Sequence, residues 1–132
     1  AIDLLPDIFN DADYWQQADI EDFVIAVELM KTVGRDARTE PMRTAFGRFQ
    51  VARLGFVFVS GSAATTLEAL GAGVRGCGLL GLAVQYPQDV LRYVLGCQTD
   101  DGAFGRAPLS LPDIEQTHTA LAIFHALKPA PR

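Results

Sequence analysis

Few of the 132 residues belong to the types that carry redox, metal or nucleophilic chemistry: there are two cysteines, two histidines and one tryptophan. Cys77 and Cys97 make neither a Cys-x-x-Cys pair nor a secreted disulfide framework, which suits a reducing compartment and a cytoplasmic location, with both thiols acting as small buried apolar groups. Basic residues are scarce as well, 11 against 16 acidic for a net charge of −5. They are dispersed, so a phosphate backbone would find little to hold it and nucleic acid is not an expected partner. No apolar run reaches the ~18 residues of a membrane-spanning helix, because Leu70 to Val84 is interrupted by Arg75 and by glycines. The chain begins with alanine and its ends carry no basic n-region or cleavage site, so a trimmed chain or a part of something larger is expected.

What is present is apolar residue in quantity, 49% of the chain. One domain of this length, residues 1–132, buries a core, and the Pro-containing end at 129–132 reads as a flexible tail. Three triplets, Asp19-Ile20-Glu21, Thr66-Leu67-Glu68 and Asp113-Ile114-Glu115, recur every 47 residues. The register continues downstream through Ala26, Gly73 and Ala120, then Met30, Cys77 and Phe124, small matching small and large matching large. These offsets follow one face of a helix. Between the triplets, apolar-periodic segments start at Pro41 and Pro87, a proline being favoured in a first helical turn. They align better at a spacing of 46, which implies a one-residue slip in a loop, and Gly55 falls under Gly102. Helices are expected at 18–34, 41–53, 65–83, 88–98 and 113–128, an all-α fold of stacked helical hairpins.

The glutamates of the triplets have a structural role before any catalytic one. Acidic residues in a first turn meet the positive end of the helix dipole, and Thr65-x-x-Glu68 has the form of a capping box. Equivalent glutamates should then have equivalent surroundings. Gly71-Ala72-Gly73-Val74-Arg75-Gly76 matches Gly-x-Gly-x-x-Gly, but dinucleotide-binding glycines follow a strand at once, and here a helix start intervenes after Phe56 to Val59. Gly71, Gly73, Gly76, Gly78 and Gly81 each cost a helix about 1 kcal/mol relative to alanine. Close helix packing is the expected compensation.

The stretch Cys97-Gln98-Thr99-Asp100-Asp101-Gly102-Ala103-Phe104-Gly105, followed by Pro112-Asp113, Glu115, Thr117 and Ala120, resembles the repeat of protein prenyltransferase β subunits and of the related squalene and terpene cyclases. That repeat reads approximately CQxxDGGFG, then a Pro-containing loop, then PDLExTYxA. The match is strong over about thirty residues and continues in phase through the 47-residue frame. Phe104 stands where cyclase repeats usually carry tryptophan, which brings the stretch nearer to the prenyltransferase branch. The resemblance implies part or all of an α/α toroid, with inner helices around an apolar cavity for isoprenoid chains.

On that reading the loop is a joint. Gly102 and Gly105 permit a sharp reversal, Phe104 plugs the gap between hairpins, and Gln98 and Asp101 satisfy backbone donors at the neighbouring helix start. The inner helices are expected to present Phe23, Val27, Ala72, Cys77, His118 and Phe124 to the pocket, with Arg75 the one cation placed to meet a ligand head group. The catalytic groups of the family do not match. There is no Asp-x-Cys zinc pair, Gln116 stands where the family carries its zinc histidine, and Gln98 stands where an Asp-x-Asp-Asp acid motif needs its first acid. Glu115-x-x-His118 is half of a carboxylate-bridged metal site, and only one half occurs. No metal or cofactor is expected. Two readings follow: an isoprenoid transferase or terpene cyclase segment whose chemistry lies elsewhere, or a non-catalytic helical-repeat module. The count of about two and a half hairpins suits the second, and calls for a homodimer or the remainder of a toroid to cover the ends. A carbohydrate-processing toroid would need more aromatic platforms than Trp15 alone.

Overall fold

Each triplet opens a helix, and its first residue is the cap. In the computed structural model, which describes residues 12–128, Asp19 accepts from Asp22 N–H (2.8 Å), Thr66 from Ala69 N–H (3.1 Å) and Asp113 from Gln116 N–H (2.7 Å). Each bond satisfies one of the donors that a helix start leaves orphaned. The expected capping box at Thr65 is displaced by one residue: Thr65 turns its hydroxyl to the Thr66 carbonyl, and Thr66 is the cap.

These caps begin α2 (Ile20–Thr32), α4 (Leu67–Leu80) and α6 (Ile114–Leu127), preceded by a short α1 (Ala12–Gln17) that the sequence pattern did not signal. α4 packs between α2 and α6. Their first turns lie together, so the three run parallel. α3 (Glu40–Gly47) and α5 (Pro87–Gly96) form a second layer, each with proline in its first turn. The described residues are thus mainly helical, with one small two-stranded sheet. No helix among them is long and apolar enough to cross a membrane. The expected tail at 129–132 lies outside the described residues.

Two helices are shorter than their apolar periodicity suggested. α4 ends at Leu80 because Gly81 adopts a left-handed conformation (φ 68°) and turns its N–H back to the Cys77 carbonyl. α3 stops at Gly47, and the residues expected to prolong it form an antiparallel pairing of β1 (Gln50–Val51) with β2 (Gly55–Phe56). The buried Gln50 side chain holds this turn by accepting from Gln85 N–H (2.7 Å) and donating to the Ala83 carbonyl (3.3 Å). Phe56 to Val59 therefore contributes to a local hairpin and to no parallel sheet.

The same hairpin recurs one unit later. Gln50 pairs with Phe56, and Gln98 pairs with Phe104. Val57 N–H bonds the Phe49 carbonyl (2.9 Å), and Gly105 N–H the Cys97 carbonyl (3.0 Å). These partners recur after 48 residues, one more than the helices, so the slip lies in the loops. Gly55 and Gly102 both have positive φ (87° and 92°), but Gly55 immediately precedes its phenylalanine and Gly102 stands two before. Their alignment in sequence is not structural equivalence. Gly105 is held by close approach: a Cβ there would lie 2.8 Å from the Ser110 carbonyl oxygen.

The core sits between the layers, around the rings of Trp15, Phe23, Phe46, Phe49 and Phe56. Two of the four α4 glycines serve these rings. A Cβ on Gly73 would meet Phe56 at 2.2 Å and one on Gly76 would meet Phe46 at 2.2 Å. Gly71 instead admits α6, through Thr119 at 2.6 Å. Gly78 faces open space.

Candidate functional site

Side chains that point away from the second layer leave a groove along α2, α4 and α6. It encloses about 670 Å³. Equivalent positions of the three helices build it: Val24, Gly71 and His118; then Ile25, Ala72 and Thr119; then Glu28, Arg75 and Ala122. Small residues on α4 make the floor, and Ile123 and Ala126 extend the apolar wall.

Charge is confined to two levels. At the first turns, Glu68 accepts from Arg106 through Nε (3.1 Å) and Nη2 (2.9 Å), and from Gln116 Nε2 (2.7 Å). The Arg106 bonds, with help from Gln116, hold the Glu68 carboxyl below its ordinary range. Glu21 lies beside it and moves the other way: partial burial first, then the Glu68 charge, pushes its carboxyl up. The Arg106 pair therefore keeps Glu68 charged, and that charge in turn disfavours the ionised form of Glu21. Two turns further on, Arg75 pairs with Glu28 across the groove at 2.7 Å. Each cation at the groove is thus matched by a carboxylate, and Glu21 adds further acid.

The triplet glutamates therefore do not share one environment. Glu21 and Glu68 meet at the groove, whereas Glu115, on the last helix, is exposed. Its half-motif with His118 finds no second half. Among the described residues, no group of three or more His, Cys, Asp or Glu side chains could hold a metal ion.

Of the residues expected to face a pocket, Ala72, Arg75 and His118 line this groove. Phe23, Val27 and Cys77 do not: all three are buried in the core. Phe124 is half-buried, its ring 5.9 Å from that of Phe104. The helices are rotated relative to the expected face because the best-matched small and large positions are those that pack against the second layer. Burial also pushes the thiols up, to about 12 for Cys77 and about 11 for Cys97, which leaves neither as a nucleophile at neutral pH.

No family model and no curated protein matches this chain. The geometry of the repeat loop is what can be read directly. Phe104 is buried between the hairpins. Gln98 Nε2 donates to the Gly102 carbonyl (3.1 Å), while Asp101 accepts from the Thr99 hydroxyl and from Ala103 N–H (3.3 Å). Both side chains close their own turn and do not reach the adjacent helix. That service falls to backbone carbonyls, with Phe58 accepting from Ile20 N–H (2.8 Å) and Arg106 from Leu67 N–H (2.9 Å). Thr117 adds a further tie, its hydroxyl accepting from Phe104 N–H (3.1 Å) and donating to the Asp113 carbonyl (2.9 Å).

Sequence reading missed Val24, Ile25, Glu28, Thr119 and Ala122 as groove residues. A signal was available. Glu28, Arg75 and Ala122 share one register position, and a charge within an otherwise apolar helix marks the side that faces water.

Proposed function

We propose that this chain is a prenyltransferase-like or terpene-cyclase-like helical-repeat segment whose α2, α4 and α6 face holds an isoprenoid chain, in the cytoplasm. The observation that carries the reading is the groove itself. Equivalent positions of three parallel helices converge on one concave surface whose floor, Gly71, Ala72 and Gly78, is small enough to admit a branched hydrocarbon. Binding there is by shape and dispersion.

The charges favour the hydrocarbon part of such a ligand over a diphosphate head. Arg75 is engaged by Glu28 and Arg106 by Glu68, so a diphosphate would have to break these pairs while meeting Glu21. The groups that would act on the head belong elsewhere, in agreement with the missing zinc and Asp-x-Asp-Asp motifs.

Thermal-shift titration with farnesol, farnesyl diphosphate and inorganic diphosphate tests this. Farnesol should raise the melting temperature, inorganic diphosphate should not, and Gly78→Trp should abolish the farnesol response by filling the groove. No shift with either isoprenoid at saturation refutes the proposal. The non-catalytic module is the second reading, favoured by the exposed apolar residues on the outer side of α6.

A further inference from the structure

One face of α6 lacks the cover that its counterparts have. Ile20 and Leu67, the first residues of α2 and α4, are 0% exposed, and each gives its N–H to a loop carbonyl of the following unit. Ile114 holds the same position on α6. It is 88% exposed, and among the described residues no backbone carbonyl accepts its N–H. Leu121, one heptad further along, is 58% exposed. Ile114, His118, Leu121, His125 and Lys128 follow one another at alternating spacings of four and three, the pattern of a helix-pairing seam. A depression of about 530 Å³ lies beside it, lined by Ala103, Pro112, Ile114 and Leu121 among others.

Charge decides how a second helix would lie. α6 starts with Asp113 and Glu115 and finishes with His125 and Lys128. A parallel helix of the same sequence would set like against like. An antiparallel one sets Glu115 against the partner's Lys128 and opposes the two helix dipoles. Stacking α6 onto α2 of another copy is worse: repeating the Glu68 to Gln116 register at that junction brings Glu115 against Asp22.

The geometry points to a second copy of this chain as the occupant, its α6 packed antiparallel on this one about a two-fold axis at Leu121. His118 borders both the groove and this seam, but Leu121 lines only the seam, so the pairing can be tested apart from isoprenoid binding. A two-fold contact closes on itself and leaves no repeating edge. One helix face buries less than the ~1,200 Å² of a standard interface, so the dimer is weak and concentration-dependent.

Sedimentation velocity over a concentration series tests it. The mass should rise from monomer towards dimer, and Leu121→Asp should weaken association at least about tenfold. Glu115→Lys and Lys128→Glu should each weaken it several-fold, and the two together should restore most of the loss. All three positions involved are exposed, and circular dichroism should show that each variant remains helical. A monomer at every concentration overturns the proposal and assigns the face to another partner. A dimer indifferent to Leu121→Asp, or a charge swap without recovery, overturns it equally.

Discussion

Gly73 and Phe56 occupy each other's space: a Cβ on Gly73 would stand 2.2 Å from Cγ of the Phe56 ring. The glycine is what lets the hairpin phenylalanine lie flat on α4. Gly73→Ala should therefore destabilise the protein by about 1–3 kcal/mol through overpacking. Gly73→Leu should do so by more than Leu79→Met, a volume-conserving swap at a half-buried site. Gly78→Ala is the control, since its Cβ meets nothing within 4 Å. It should raise stability by up to about 1 kcal/mol through helix propensity alone. Thermal melts of the four variants check the order, and equal effects of Gly73→Ala and Gly78→Ala would refute it.

The opposite shifts of Glu21 and Glu68 give opposite pH dependences. The Glu21 carboxyl is raised, so its contribution to stability is complete below the ordinary glutamate range, about pH 4.3, and is lost as pH rises through the raised value. The Glu68 carboxyl is lowered, so its contribution is present above that range and is lost as pH falls through the lowered value. Glu21→Gln should flatten the melting temperature on the high-pH side of about pH 4.3, and Glu68→Gln on the low-pH side. Parallel curves for wild type and both variants would show that neither carboxyl is shifted on folding.

Asp113 caps α6 at 2.7 Å from Gln116 N–H, and its neighbour in the loop, Asp100, is exposed. Asp113→Ala should cost about 1 kcal/mol and lower the melting temperature by about 4 °C. Asp100→Ala should change stability by less than about 0.5 kcal/mol. A larger effect at Asp100 would contradict the assignment of roles within the loop.

Both thiols are buried and their ionisation is pushed up, to about 12 and about 11. A thiol reagent at neutral pH should modify Cys77 and Cys97 at the rate at which the chain opens, and at once in denaturant. Rapid stoichiometric labelling of the native protein would show a reactive cysteine that this fold does not provide.

How much of this was legible from residues alone varies with the range of the interaction involved. The starts of α2, α4 and α6 were, because a cap bond joins residues three apart. The ends of α3 and α4 were less so. Gly81 is a local stop signal hidden in a glycine-rich run, and the β1–β2 turn depends on the Gln50 side chain reaching Gln85 and Ala83. The groove face was legible only in part. Ala72, Arg75 and His118 lie on it, whereas Phe23, Val27 and Cys77 belong to the second-layer contact, because both faces of α2 and α4 are apolar and periodicity does not distinguish them.

Residue order by itself determined three equivalent helix starts and the proline-initiated starts of α3 and α5, since each rests on contacts within a few positions along the chain. Tertiary packing decided which side of α2, α4 and α6 meets the second layer, which glycines receive rings, and which carboxylates of the repeat meet. Those outcomes depend on volumes and charges brought together across 17 to 48 positions: Phe56 on Gly73 takes up space that nothing near Gly73 in sequence reveals, and Gln116 reaches Glu68 from 48 residues away.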